Sequence, residues 1–328
     1  MVLKNVKIFI IELLFDKHIS FLPKANDKNF WENLVKIGSN QIIIPAIYFK
    51  LKERKLINKI PQDLKKYLSE IYNFNSLRNK DVLVEINKIE KELKKNKIDF
   101  VFLKGASLLK TIYIKNIGIR MMHDIDILIR KKHIILAKKI LNNLNYNDRG
   151  FENKIVKTRH LPILINKENS IGVELHYELT KENSFFDYNK IFKKNNLNIL
   201  SINDNLNHVI LNLEKNDDGS LLGTINLRAK FDFFNLNKLK NNFSFNRNIY
   251  TKRFKTKVDY LEIYNKIKSK NLYYYYLLFN RTILGKLTTS ILKFFINLKL
   301  IFMQILEFII NPYYRENVLK IIAKKVEK

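Results

Sequence analysis

Apolar residues recur at helical spacing through roughly the first hundred positions of the chain. The N-terminal run MVLKNVKIFIIELLF carries two lysines, meets Asp16 and Lys17, and has no small-residue cleavage site, so it reads as a helix and not a signal peptide. Between Asn29 and Lys52, Trp31, Leu34, Val35 and Ile37 fall on one helical face. Pro61 suits the first turn of a long helix. Leu68, Ile71, Leu83, Ile86, Ile89 and Leu93 are its apolar positions, with a period too irregular for a coiled coil.

At Ile98 the pattern changes. IDFVFL is a compact apolar run ending at Lys104-Gly105 and predicts a buried strand, with ASLLKTIYI following as a helix. MMHDIDILIR alternates: Ile125, Ile127 and Ile129 face one way, Asp124, Asp126 and Leu128 the other. His133 to Asn145 predicts an amphipathic helix. His160–Ile165 and Ile171–Tyr177 are two further strand candidates joined by the turn-like NKENS, and the second puts Glu174 and His176 on a common face. Helical patterns return in DNLNHVILNLEKN and LLGTINLRAKFDFFNL, and Asn235–Asn248 predicts a loop. The C-terminal third is lysine- and tyrosine-rich and mostly helical in pattern. Its most apolar stretch, Ile291–Ile310, is interrupted by Lys293, Asn297, Lys299, Gln304 and Glu307, which argues against a bilayer-spanning helix. A buried amphipathic helix is the expectation, with peripheral contact to an anionic membrane as the second reading.

The chain has 328 residues, 46% hydrophobic, with 8 Gly and 5 Pro, which excludes a turn-dense all-β protein. There is no cysteine, so disulfides, thiolate metal sites and cysteine nucleophiles are excluded. The composition fits a reducing compartment, and a cytoplasmic location is expected. Any metal must sit on carboxylates or histidines, a donor set that suits Mg²⁺ or Mn²⁺. The formal charge of +29 is compatible with a polyanionic partner. Lysine, asparagine and isoleucine are all abundant, however, as an AT-rich coding sequence would give. No aromatic-interleaved basic patch is present, so nucleic acid is not favoured.

Three pieces that carry chemistry follow one another on the α/β segment. A strand–helix junction at Lys104-Gly105-Ala106-Ser107 offers close backbone approach and free N–H groups to phosphate, with Lys104 and Ser107 as added donors. Asp124 and Asp126, two apart on a strand, share a face and are placed to share divalent metal. Glu174 on a later strand completes the carboxylate set, with His176 beside it. Arg120 and Lys104 can stabilise phosphate oxygens. Nucleotidyl transfer needs little more than positioning, metal and charge neutralisation, and this set supplies those. Each piece alone has an ordinary structural explanation; their order is what carries weight. His18, His123, His133 and His160 have no ligand spacing and are read as structural or surface residues, with His160 a candidate to line a cleft.

The same residues resemble a known family. Leu103-Lys104-Gly105, Tyr113, Arg120, Asp124 and Asp126, Tyr146, then Glu174-Leu175-His176, follow the pattern of the uncharacterised nucleotidyltransferase family of the polymerase-beta-like superfamily. His208 and Asp232 fit its helical C-terminal part more loosely, so the resemblance spans residues ~98–235. It implies a small mixed sheet with helices; with the helical patterns on either side, the expected architecture is an α+β fold with a core at 98–200 between an N-terminal helical cap at 1–97 and a C-terminal helical region at 201–328. It also implies metal on Asp124, Asp126 and Glu174, and Lys104, Gly105, Ser107, Arg120 and His176 around a nucleoside triphosphate. The acceptor would be a small molecule, saccharide or protein. The chain departs from the wider superfamily at the turn, where Gly105-Ala106 replaces Gly-Gly or Gly-Ser, so a catalytically degenerate binding protein is the alternative.

Overall fold

The computed structural model describes residues 2–148, 159–180, 186–193, 197–212 and 226–239, together with Ile305 and Ile309. Four helices come first: α1 (Val2–Leu14), α2 (Lys28–Asn40), α3 (Ile44–Glu53) and α4 (Gln62–Lys95). Asp27 caps α2 by accepting from the Phe30 N–H, and Pro61 stands immediately before α4. Asp63 in the first turn of α4 and Lys94 and Lys95 in its last complement the helix dipole. The core segment then runs β1 (Phe100–Phe102), α5 (Lys104–Leu109), β2 (Asp124–Ile129), α6 (Ile134–Asn143), β3 (Tyr146–Asp148), β4 (Leu164–Asn166) and β5 (Gly172–His176). Three helices follow: α7 (Tyr188–Ile191), α8 (Ile202–Leu211) and α9 (Leu227–Lys238).

The strands form one five-stranded mixed sheet in the order β1-β2-β5-β4-β3. The central pair, β2 and β5, is parallel; the other pairings are antiparallel. The free side of β1 is covered at Asn198–Ile199, where the Phe102 N–H donates to the Asn198 carbonyl. Ile125, Ile127, Ile129, Val173 and Leu175 face a core shared with α1–α4 and α6. Val101, Leu103 and Leu128 face the other way, onto Leu179, Phe186, Ile191, Phe192, Leu200, Ile210 and Leu211. The isoleucines of β2 are fully buried, each contributing about 1.5–3 kcal/mol. A slip of one residue would drive Asp124 and Asp126 into that core, so the hydrophobic face sets the register of the acidic one.

Buried polar residues on α4 hold the segment that leads into β2. Asn75 donates to the Gly118 carbonyl (2.7 Å), and Asn79 donates to the carbonyls of Ile117 (2.6 Å) and Arg120 (2.9 Å). Glu85 accepts from the Tyr146 hydroxyl (2.8 Å) and anchors β3. Asn79→Ala removes the donor to two carbonyls, and a loss of roughly 2 kcal/mol of stability is expected in urea unfolding.

Several expectations need adjusting. The helix predicted through ASLLKTIYI stops at Leu109, and turns occupy most of the way to Asp124. The strand at Tyr146–Asp148 is not apparent in the hydrophobic pattern, because its three residues include Asn147 and Asp148 and it sits at the sheet edge. Asn235 to Lys238 end α9 and do not open a loop; the rest of the asparagine-rich stretch, apart from Leu239, lies outside the described residues. So does the apolar C-terminal stretch, except Ile305 and Ile309, which are helical and exposed. Among the described residues, no helix is long and apolar enough to cross a membrane.

Candidate active site

The parallel pairing of β2 with β5 places Asp126 opposite Glu174, and Asp124 opposite Gly172. Paired strands lie about 4.8 Å apart, whereas residues two apart along one strand are separated by about 6.6 Å. Asp126 and Glu174 are therefore a close carboxylate pair across the strands, with Asp124 two residues away along β2. His176 joins the pair: its Nε2 is 2.8 Å from Asp126 Oδ1 and 3.3 Å from Glu174 Oε2. The ligand atoms of Asp126, Glu174 and His176 all lie within 4.8 Å of one another. Asp124 stands outside this trio, one step towards solvent on the same face. Gly172 lets the Ile163 side chain pack against the strand opposite Asp124, since a Cβ there would stand 2.6 Å from Ile163 Cδ1.

Lys104 enters from the β1–α5 junction. Its Nζ is 2.5 Å from Asp126 Oδ1, and the preceding Leu103 N–H donates to the Asp126 carbonyl at 2.9 Å. Its backbone adopts φ 44°, a left-handed conformation that costs a non-glycine residue about 1–2 kcal/mol. Strain of this kind survives where surrounding contacts enforce it, and it gathers at functional sites.

Charge in the site is unevenly distributed. Burial pushes Asp126 towards protonation, but Lys104 and His176 outweigh it and hold the carboxyl well below its usual range. Glu174 is also lowered: the hydrogen bond with His176 overcomes burial and the repulsion of Asp126. Asp124, with no hydrogen-bonded lysine or histidine among the described residues, is pushed up to about 6 by burial and by its two acidic neighbours. Burial opposes the charge on Lys104, yet Asp126, Glu174 and Asp124 together raise its pKa. Because ionised carboxylates only accept, His176 Nε2 must donate to them in this arrangement. Its Nδ1 has no partner among the described residues.

Other expected site residues lie elsewhere. Ser107, predicted to face phosphate, is fully buried and meets Asn205 of α8 (Asn205 Nδ2 to Ser107 Oγ, 3.2 Å). Three residues beyond Lys104, it has turned from the sheet face to the helix behind. Arg120 is likewise committed: its Nε donates to Asp232 Oδ2 at 2.9 Å, and Asp232 Oδ1 accepts from the Tyr113 hydroxyl at 2.8 Å. This buried trio ties α9 to the segment before β2. It also explains Gly105, where a Cβ would stand 2.6 Å from Arg120 Nη1 and 3.0 Å from the Met122 sulfur. Gly105 makes room for a side chain of its own protein. Gly105→Ala is expected to lower stability by about 1–3 kcal/mol, read from the shift in urea midpoint.

Two histidines complete the surroundings. The His160 ring lies 4.9 Å from that of His176, with an isolated bridge between the two residues. His208 on α8 is buried, and its Nε2 has no partner among the described residues. Burial first, then Lys104, Arg159 and His176, depress it to about 3, so it stays neutral. The sequence signal for it was slight, a lone histidine in an amphipathic helix.

Two carboxylates and an imidazole within 4.8 Å are a donor set that fits a divalent ion, with oxygen ligands suited to a hard one. No curated protein and no solved structure matches the chain. A match does exist at the level of the protein family, over residues 27–252, and so takes in every element from α2 through α9. On that match, the chain belongs to the family of uncharacterised nucleotidyltransferases.

Proposed function

We propose that the protein transfers a nucleoside monophosphate from a nucleoside triphosphate to an acceptor hydroxyl, using Mg²⁺ or Mn²⁺. The observation that carries this reading is the register of β2 against β5, which sets Asp126 opposite Glu174 with Asp124 on the same face. Asp126, Glu174 and Asp124 would hold the ion or ions, with His176 as orienting donor or further ligand. Bound metal supplies neutralisation of the triphosphate and a Lewis acid at the reacting oxygens. The acceptor oxygen bonds to the α-phosphorus, the bond from that phosphorus to the bridging oxygen breaks, and pyrophosphate leaves with the electron pair. Glu174, one-fifth exposed, would take the hydroxyl proton. Lys104 would stabilise phosphate oxygens, with Gly105 in the turn beside it. Ser107 and Arg120 support this arrangement from behind. The acceptor would be a small molecule, a saccharide or a protein, in a cytoplasmic setting.

The test is pyrophosphate release from a panel of nucleoside triphosphates with Mg²⁺ or Mn²⁺, across acceptors of these three classes. Metal-dependent release supports the proposal. A second reading, a binding protein without turnover, draws on the inward-turned Ser107 and Arg120 and the lysine seated on Asp126. Calorimetry showing tight nucleotide binding without consumption would favour it.

A further inference from the structure

We infer that Lys104 is a tethered counter-cation that competes with divalent metal for Asp126 and gates metal loading. The inference rests on the proposal that these carboxylates bind metal. Asp124, Asp126 and Glu174 crowd one face of two adjacent strands. Without a cation, such a cluster would repel itself in a partly dry setting. The Lys104 ammonium, 2.5 Å from Asp126 Oδ1, is the cation that sits there. It shares that same oxygen with His176 Nε2, at 2.8 Å. Asp126 is 2% exposed, so it has little room to turn and serve a second cation elsewhere.

A metal ion on Asp126 Oδ1 would meet the ammonium at close range, and both cannot stay. The lysine is the one able to leave. Its side chain is about a quarter exposed (26%) and hangs on a flexible four-carbon stem, so it can swing towards solvent. A triphosphate arriving from that side offers the displaced ammonium new anionic partners. Metal and triphosphate thereby help each other bind, and the carboxylates stay compensated between cycles. The backbone fits this role. Glycine would adopt the φ of 44° without strain, yet the position carries a lysine whose side chain reaches Asp126. The Leu103 N–H bond to the Asp126 carbonyl keeps the stem anchored whichever way its tip points.

The test titrates Mn²⁺ alone into the full-length protein, following free Mn²⁺ by electron paramagnetic resonance. Lys104→Met removes the ammonium; Lys104→Gly also removes it and accepts the same backbone, which guards against misfolding. Both variants are expected to bind Mn²⁺ about ten-fold more tightly than the wild type, since a unit charge has been removed from contact distance. The gain should vanish when Asp126→Asn is added to Lys104→Met. Unchanged or weaker Mn²⁺ binding in folded Lys104→Met and Lys104→Gly overturns the inference. If the wild type binds Mn²⁺ through Asp126 but the lysine variants gain nothing, only the counter-cation role fails. If no variant binds Mn²⁺, the metal reading of the site fails with it.

Discussion

Asp126→Asn is expected to lower nucleotide turnover by two or more orders of magnitude, on the order of 3 kcal/mol of transition-state stabilisation. The reason lies in how much converges on this carboxyl. It lies opposite Glu174 in register, accepts from Lys104 and His176 through one oxygen, and is almost fully buried. Asparagine keeps the shape but removes the charge, and its amide presents two donors to a lysine and a histidine that also donate. Asp124→Asn is expected to have the smaller effect. It lies outside the close trio and, among the described residues, has no ammonium or imidazole seated on it. The comparison is made on initial rates of pyrophosphate release at saturating triphosphate, with thermal denaturation as the folding control. Equal rates for Asp126→Asn and wild type would sink the assignment of this carboxylate. A larger loss in Asp124→Asn than in Asp126→Asn would instead move the centre of the site along β2.

The largest effect on stability is expected at Asp232. Its two oxygens accept from Arg120 Nε and from the Tyr113 hydroxyl, and all three residues are buried. Asp232→Ala leaves a guanidinium in the core with no counter-charge, which typically costs 3–5 kcal/mol. For a chain of this length that is roughly a 10 °C fall in Tm. The protein should unfold at markedly lower urea concentration. An apolar double replacement, Arg120→Met with Asp232→Leu, should recover much of the loss, because it removes both charges and not one. If Asp232→Ala unfolds with the wild-type midpoint, the pair is not buried as described. The same pair bears on the site. The Arg120 guanidinium lies against Gly105, next to Lys104, so damage at α9 should reach the turn that carries the lysine.

The register of β2 was legible in the chain itself. Three isoleucines alternating with Asp124, Asp126 and Leu128 can lie only one way across a buried sheet, since the reverse would bury two carboxylates in the apolar core. The long α4 was legible for a similar reason: of its expected apolar positions Leu68, Ile86, Ile89 and Leu93 are buried, while Ile71 and Leu83 are only partly so and Leu64 and Val82 take up the rest of the buried face. Legible too was the order of the site: a lysine-bearing junction, an acidic strand, then Glu-x-His. What could not be read was which acids meet. Spacing along the chain set Asp124 beside Asp126 and named Glu174 as the third acid, but the register that puts Glu174 directly opposite Asp126 depends on a partner strand that begins more than forty residues later. The turn residues were ambiguous in the same way. A glycine before a helix suits phosphate equally well as it suits a neighbouring side chain, and only the path of the chain from Tyr113 to Arg120 brings that guanidinium against Gly105.

The amino-acid sequence by itself determined most of the elements, the faces they bury and the chemical inventory of the acidic sheet face, because these follow from local periodicity and side-chain type. The tertiary structure alone decided that Asp126 answers to Glu174, His176 and Lys104, and that Ser107 and Arg120 turn away to Asn205 and Asp232. Those choices depend on strand pairing and on helix packing between residues up to 112 positions apart, as for Arg120 and Asp232, and no local pattern encodes a contact of that range.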